Sequence, residues 1–169
     1  LLELPVLAAY QRYYRRFNKT YHVQLQLESI LKGKNLPDVS PLVDANLVSE
    51  LDSPILTAGH DVARLLPPVT IDVSREGDGM TLMNGTAREI YAGDMVMRDA
   101  AGIACSIIYG QDNRSPITPE TARALYVSYA PPGVPAGLVQ AHLQRVADTV
   151  RTFSPGATVE QLRVVTAGE

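Results

Sequence analysis

Only one cysteine, Cys105, occurs in the 169 residues, and it lies inside the apolar run IACSII at 103–108. That excludes an internal disulfide, and it suits a small buried side chain better than a nucleophile, which needs an exposed, polarised setting. Long apolar runs are also missing, since none approaches the roughly 20 residues that span a bilayer. The apolar start at Leu1 is broken by Glu3 and has neither a basic flank nor a small-residue cleavage site. A soluble, cytoplasmic protein with no membrane partner is expected. His22 and His142 have no second ligand at metal spacing, and no glycine-rich turn opens a phosphate-binding helix, so neither metal nor cofactor is expected. Internal repeats and low-complexity linkers are absent.

Basic residues are scarce and unevenly placed. Residues 1–34 hold six of them (Arg12, Arg15, Arg16, Lys19, Lys32 and Lys34) against two acidic side chains, which leaves the remainder acidic within a net charge of −3. Polyanion binding normally draws on a larger excess, so a solvated helix face accounts for this one. Tyr10, Tyr13 and Tyr14 among Arg12, Arg15 and Arg16 form an aromatic-basic mixture of the kind that stacks on unpaired bases. Half of such a helix must pack inward, which favours the tyrosines as packing residues.

What is present is 46% hydrophobic sequence, enough for one domain over residues 1–169. Helical spacing in LPVLAAYQRYYRRFN and at Val23, Leu27, Ile30 and Leu31 predicts two opening helices, the first within 1–18. Ser40 before Pro41 reads as an N-cap with proline at the first helical position, starting a third helix that ends before Pro54. Short β-rich segments follow: SPILTAG, VTIDVS, GMTLMNG, GDMVMRD, GIACSIIYG and ALYVSYA. PETARA reads as a brief helix, GLVQAHLQRVADTVRTF as a long one, and VEQLRVVT as a closing edge strand. Helices first, strands clustered and a late helix predict an α+β fold, with a central, mostly antiparallel sheet flanked by helices.

Three apolar runs within 43–118 end in Asn, Thr, His, Asp or Gln, where an unpaired buried polar group costs roughly 1–3 kcal/mol. That pattern suggests a pocket. T57AGHD offers a histidine that titrates near neutrality beside a carboxylate and a hydroxyl, a set suited to general-base work. The alternative is that Thr57 and Asp61 cap local backbone, and strand alternation would send His60 and Asp61 apart. Y109GQDNRS gathers Gln111, Asp112, Asn113 and Arg114 at one strand end, where they suit a ribose or a terminal phosphate. Ordinary turn chemistry explains the same residues. REGDG and NGT read as hairpin turns.

The ordered pieces VDANLV, a run ending in Asp61, ARLLPPVTIDVSREGDGMTLMNG, GDMVMRDAAG, SIIYGQD and TARALYVSYA resemble the B3/B4 domain, the editing module of the bacterial phenylalanyl-tRNA synthetase beta subunit. The resemblance covers about residues 25–130. The N-terminal helix in 1–18 and the helix plus strand in 134–166 lie outside it, as in a free-standing relative that is not a complete synthetase. It implies a B3/B4-like fold that binds the aminoacylated 3′ end of tRNA and hydrolyses a wrongly attached ester, a reaction that needs a placed water and oxyanion donors. Asn46 matches the family's pocket asparagine, Asp61 the aspartate ending its PLHAFD-like stretch, and Gly110, with Ser106 nearby, its glycine-rich strand end. Asn46, His60 and Asp61 are thus the candidate catalytic residues. Thr57, Ser106, Gly110, Gln111, Asp112 and Arg114 are the candidate substrate contacts. The family histidine falls at Ala58 here, and the strand with Val127, Ser128 and Tyr129 lacks the carboxylate that reads a tyrosine hydroxyl. Two other readings are a tRNA-binding module without turnover and a binding protein for an amino acid or similar small ligand.

Overall fold

A computed structural model describes residues 4–35 and 40–166. The fold is α+β, and the chain divides into two compact units, 1–57 with 130–169, and 58–129. No helix among the described residues is long and apolar enough to cross a membrane.

The first unit is helical. Helix α1 (Pro5–Arg15) starts with proline at its first turn and buries Val6, Leu7, Ala9, Tyr10, Tyr13 and Tyr14, so the tyrosines are packing residues. The expected start of this helix in residues 1–3 lies outside the described residues. Helix α2 (His22–Leu31) buries Val23 and Leu27. Helix α3 (Pro41–Asp52) is capped by Ser40, whose Oγ accepts from the Val43 N–H at 3.4 Å, and Pro41 needs no hydrogen-bond partner for its nitrogen. Helix α4 (Ala136–Phe153) packs against α3 along the stripe Val139, His142 and Val146.

Between α3 and the first strand, Pro54 to Thr57 is buried, and residues 54–56 have no regular secondary structure. Backbone groups there must find partners elsewhere. The Leu56 N–H donates to the Tyr10 hydroxyl (3.0 Å), and the Tyr21 hydroxyl donates to the Pro54 carbonyl (3.2 Å). Those two rings stack at 4.3 Å and 4°.

The second unit holds most of the strands. Strand β1 (Thr57–Asp61) enters it and pairs with β8 (Ala124–Ser128). After one 3-10 turn at Val62–Arg64 come β2 (Thr70–Val73), β3 (Gly79–Thr81), β4 (Ala87–Glu89), β5 (Met95–Asp99), β6 (Gly102–Ser106) and β7 (Gly110–Gln111). A four-stranded sheet runs β2-β5-β6-β7 with antiparallel pairing, and β3-β4 is a separate hairpin. Met80, Ile90, Val96 and Ile103 form a core, with Leu82 and Tyr109 packed on it. Strand β2 is an edge, and Val69, Ile71 and Val73 are exposed along it. Gly59 in β1 is closely covered: a Cβ there would stand 2.7 Å from Ile117 Cδ1 and 3.2 Å from Tyr126 Cε1, so both side chains would have to shift.

Two expected elements differ. PETARA is a turn, since Thr118 and Thr121 bond one another (Thr121 N–H to Thr118 O, 3.0 Å; Thr118 N–H to Thr121 Oγ1, 2.9 Å) and β8 already begins at Ala124. Residues 159–166 form no strand, and all of them are exposed or half-buried, so no sheet edge pairs with them.

Replacing Tyr10 with Phe leaves the Leu56 N–H unpaired while keeping the ring, and is expected to cost about 1–3 kcal/mol of unfolding free energy in urea titration. Unchanged stability would mean that this bond holds nothing in place.

Candidate functional site

Among the described residues, no group of three or more His, Cys, Asp or Glu side chains is placed to hold a metal. The sequence-named residues fall into separate local networks.

In the second unit, His60 sits on β1, fully buried. Its Nδ1 lies 2.8 Å from Ser115 Oγ, and Ser115 Oγ lies 3.1 Å from Asp112 Oδ1. The Asp112 carboxylate also takes the Arg114 Nε at 2.6 Å, and Arg114 Nη1 meets both Asp99 oxygens at 3.1 Å. Arg114 donates further to the Ile103 carbonyl (3.3 Å). The Gln111 amide donates to the Ser115 carbonyl at 2.9 Å and stands 3.2 Å from His60 Nδ1.

With the Gln111 amide donating to the Ser115 carbonyl alone, proton counting gives this chain one direction. Ser115 has one hydroxyl proton, and the Asp112 carboxylate, paired with Arg114, only accepts. The hydroxyl therefore donates to Asp112, and His60 donates from Nδ1 to Ser115. His60 Nε2 is left as a bare lone pair, and it is buried with no hydrogen-bond partner. Burial pushes the His60 imidazole down to about 4, with Asp99 opposing and Arg114 assisting, so it is neutral at physiological pH. An oriented neutral imidazole with a free nitrogen can take a proton from water or a hydroxyl.

Asp61 points elsewhere, as strand alternation requires. Its carboxylate caps the following turn at the Ala63 N–H (3.0 Å) and accepts from the Thr121 hydroxyl (3.0 Å). Ser106 donates to the buried Asp94 carboxylate and accepts from the Tyr109 N–H at 3.1 Å, which shapes the turn before β7. Gly110 closes that turn at φ +84°, a conformation that favours glycine. Arg114, expected to suit a terminal phosphate, commits its guanidinium to Asp99, Asp112 and Ile103.

In the first unit, Asn46 donates from Nδ2 to the Thr57 carbonyl at 2.8 Å, while its Oδ1 is buried without a partner. The Thr57 N–H donates to Glu50 Oε1 at 2.7 Å. Thr57 Oγ1 lies 2.7 Å from His142 Nε2, and Ser53 Oγ lies 2.6 Å from His142 Nδ1. Ser53 Oγ also donates to the Ser49 carbonyl (3.0 Å), and Thr57 Oγ1 to the Ile55 carbonyl (3.3 Å). Both its nitrogens are engaged, which makes it a strut where His60 is not. A surface depression of about 430 Å³ on α4, lined by Ala141, Gln144, Arg145, Asp148, Thr149 and Thr152, contains none of the sequence-named residues.

Sequence reasoning missed Ser115, Glu50 and Asp94 as polar centres. Ser115 ends an Asp-Asn-Arg-Ser stretch that reads as a turn, and its partner His60 is 55 positions away. No local pattern announces such a pair.

These buried groups give the fold a pH signature. Burial pushes Glu50 up to about 8 and holds His142, like His60, at about 4. The histidines bind protons more weakly when folded, so their contribution is complete above about 6.5 and is lost as pH falls towards 4, roughly 3 kcal/mol each. Glu50 binds its proton more tightly when folded, so its contribution is complete below about 4.5 and is lost as pH rises through 8. Denaturant titrations across pH should therefore show maximal stability near about pH 6 to 7. Glu50→Gln should flatten the alkaline limb; an unaltered limb would remove Glu50 as its source.

No protein-family model matches the chain, and no curated protein matches it.

Proposed function

We propose that the chain is a B3/B4-type module that binds the aminoacylated 3′ end of tRNA and hydrolyses the ester of a mischarged amino acid, with His60 as general base. The observation that carries this reading is the His60–Ser115–Asp112 chain, which orients a neutral imidazole and leaves Nε2 unprotonated. An aminoacyl ester is already activated, so a positioned base and water supply much of what its hydrolysis needs. The resemblance of residues 25–130 supplies the substrate class.

His60 would take a proton from water as the oxygen attacks the ester carbonyl and return it to the departing ribose oxygen as the acyl–oxygen bond breaks, and Ser115 would hold the imidazole in the required tautomer. Asp112, ion-paired with Arg114, would stabilise the imidazolium. Gln111 and Arg114 act inside this network as positioning residues, since the Gln111 amide donates to the Ser115 carbonyl and Arg114 is committed to Asp99, Asp112 and the Ile103 carbonyl. Without a carboxylate at 127–129, nothing in β8 reads a phenol, so tyrosine is not assigned as the amino acid.

A second reading, tRNA binding without turnover, is favoured by one observation: His60 and Ser115 are 0% and 1% exposed. Hydrolysis requires the site to open so that water reaches Nε2.

Deacylation of a panel of mischarged tRNAs separates the two. Hydrolysis predicts a rate lowered roughly 10²- to 10⁴-fold in His60→Ala, and a smaller loss in Ser115→Ala. Uncatalysed rates across the whole panel, together with salt-sensitive tRNA binding, would overturn hydrolysis in favour of binding alone.

A further inference from the structure

We infer that Tyr91, Tyr109 and Arg88 in the second unit form a stacking site for an unpaired base of single-stranded RNA. The inference rests on the RNA-directed reading above but uses none of its reacting groups. The Tyr91 and Tyr109 rings stack with centroids 5.5 Å apart and planes 26° from parallel, and Tyr91 is 41% exposed. The Arg88 guanidinium carbon lies 5.5 Å from the Tyr109 centroid.

Both rings are held by their backbones. The Tyr109 N–H donates to Ser106 Oγ, which the buried Asp94 fixes, and its ring packs on the Met80, Ile90, Val96 and Ile103 core. The Tyr91 carbonyl accepts from Ser74 Oγ at 2.6 Å. A rigid aromatic surface binds a flat ligand at little entropic cost.

Charge separates this cluster from an ordinary exposed aromatic pair. Arg64, Arg75, Arg98 and Arg114 each have an aspartate within ion-pair distance. Arg88 is exposed and meets the Tyr109 ring, with no carboxylate in ion-pair contact among the described residues. A π surface beside an uncommitted cation matches a nucleobase and its adjoining phosphate. Every base offers a π face, so the site would tolerate any sequence.

The test is fluorescence anisotropy with a labelled single-stranded oligoadenylate on the order of eight nucleotides long. A same-length abasic strand serves as the control for charge alone. Expected are binding that weakens as salt rises, about tenfold weaker binding of the abasic strand, and about tenfold loss in Tyr91→Leu, with Tyr91→Phe behaving like the parent. Arg88→Ala should weaken binding and reduce the salt dependence. Thermal melts matched to the parent establish that each variant is folded. Unchanged affinity in Tyr91→Leu overturns the site even if the parent binds RNA. Absence of oligoadenylate binding at low salt, with deacylation intact, overturns the site and leaves the proposed function standing. The expected binding pattern with no deacylation overturns hydrolysis and leaves the site.

Discussion

A buried stretch of irregular backbone sets the terms for the first unit. From Pro54 to Thr57 the chain runs without water, and hydrogen bonds that a helix or sheet would supply come from side chains. Tyr10, Tyr21, Glu50 and Asn46 each meet one backbone group there. An amide left bare in such a place costs about as much as a tenth to a half of a domain's net stability. The identities of those residues, on α1, just before α2 and on α3, are therefore tied to a segment that follows them, and this explains an uncharged Glu50. A carboxyl group buried beside one amide donor accepts its bond more cheaply when protonated.

The second unit solves a related problem with charge. Asp94, Asp99 and Asp112 are all buried, and each is met by hydroxyl, guanidinium or backbone donors. Buried carboxylates held by donors or ion pairs are directional supports, because each loses heavily if one partner moves. His60 stands at the end of the Arg114–Asp112–Ser115 series, where orientation is imposed from one side only. The same order that holds its Nδ1 leaves its Nε2 unmatched. Strain of this kind tends to collect where a protein does chemistry.

What was legible in the sequence was local. Ser40 and Pro41 announce α3 because a cap and a proline act within one turn, and the helical spacing in GLVQAHLQRVADTVRTF announces α4. The alternation of β1 foretold that His60 and Asp61 would part. PETARA misled because proline followed by helix formers is common to helices and turns, and the two threonines that decide the matter bond each other. Residues 159–166 misled because an apolar alternation describes a strand only when an edge is there to receive it. Nothing local marks His60 with Ser115, or His142 with Thr57, since these pairs are made by the fold across 55 and 85 positions.

The open edge at β2 carries a liability of its own. Val69, Ile71 and Val73 stand in water beside a strand that pairs only with β5, the form of surface on which a second chain can add a strand. The charges of Asp72, Arg75 and Arg98 gather at the same edge, and Arg98 also meets Asp78. A backbone hydrogen bond from Val73, with Arg75 and Arg98 assisting, holds the Asp72 carboxyl group below its ordinary range, and the Arg98 hydrogen bond does so for Asp78, so this guard against edge-to-edge association persists into mild acid. The cluster's chief consequence is colloidal: it keeps neighbouring molecules from continuing one another's sheet.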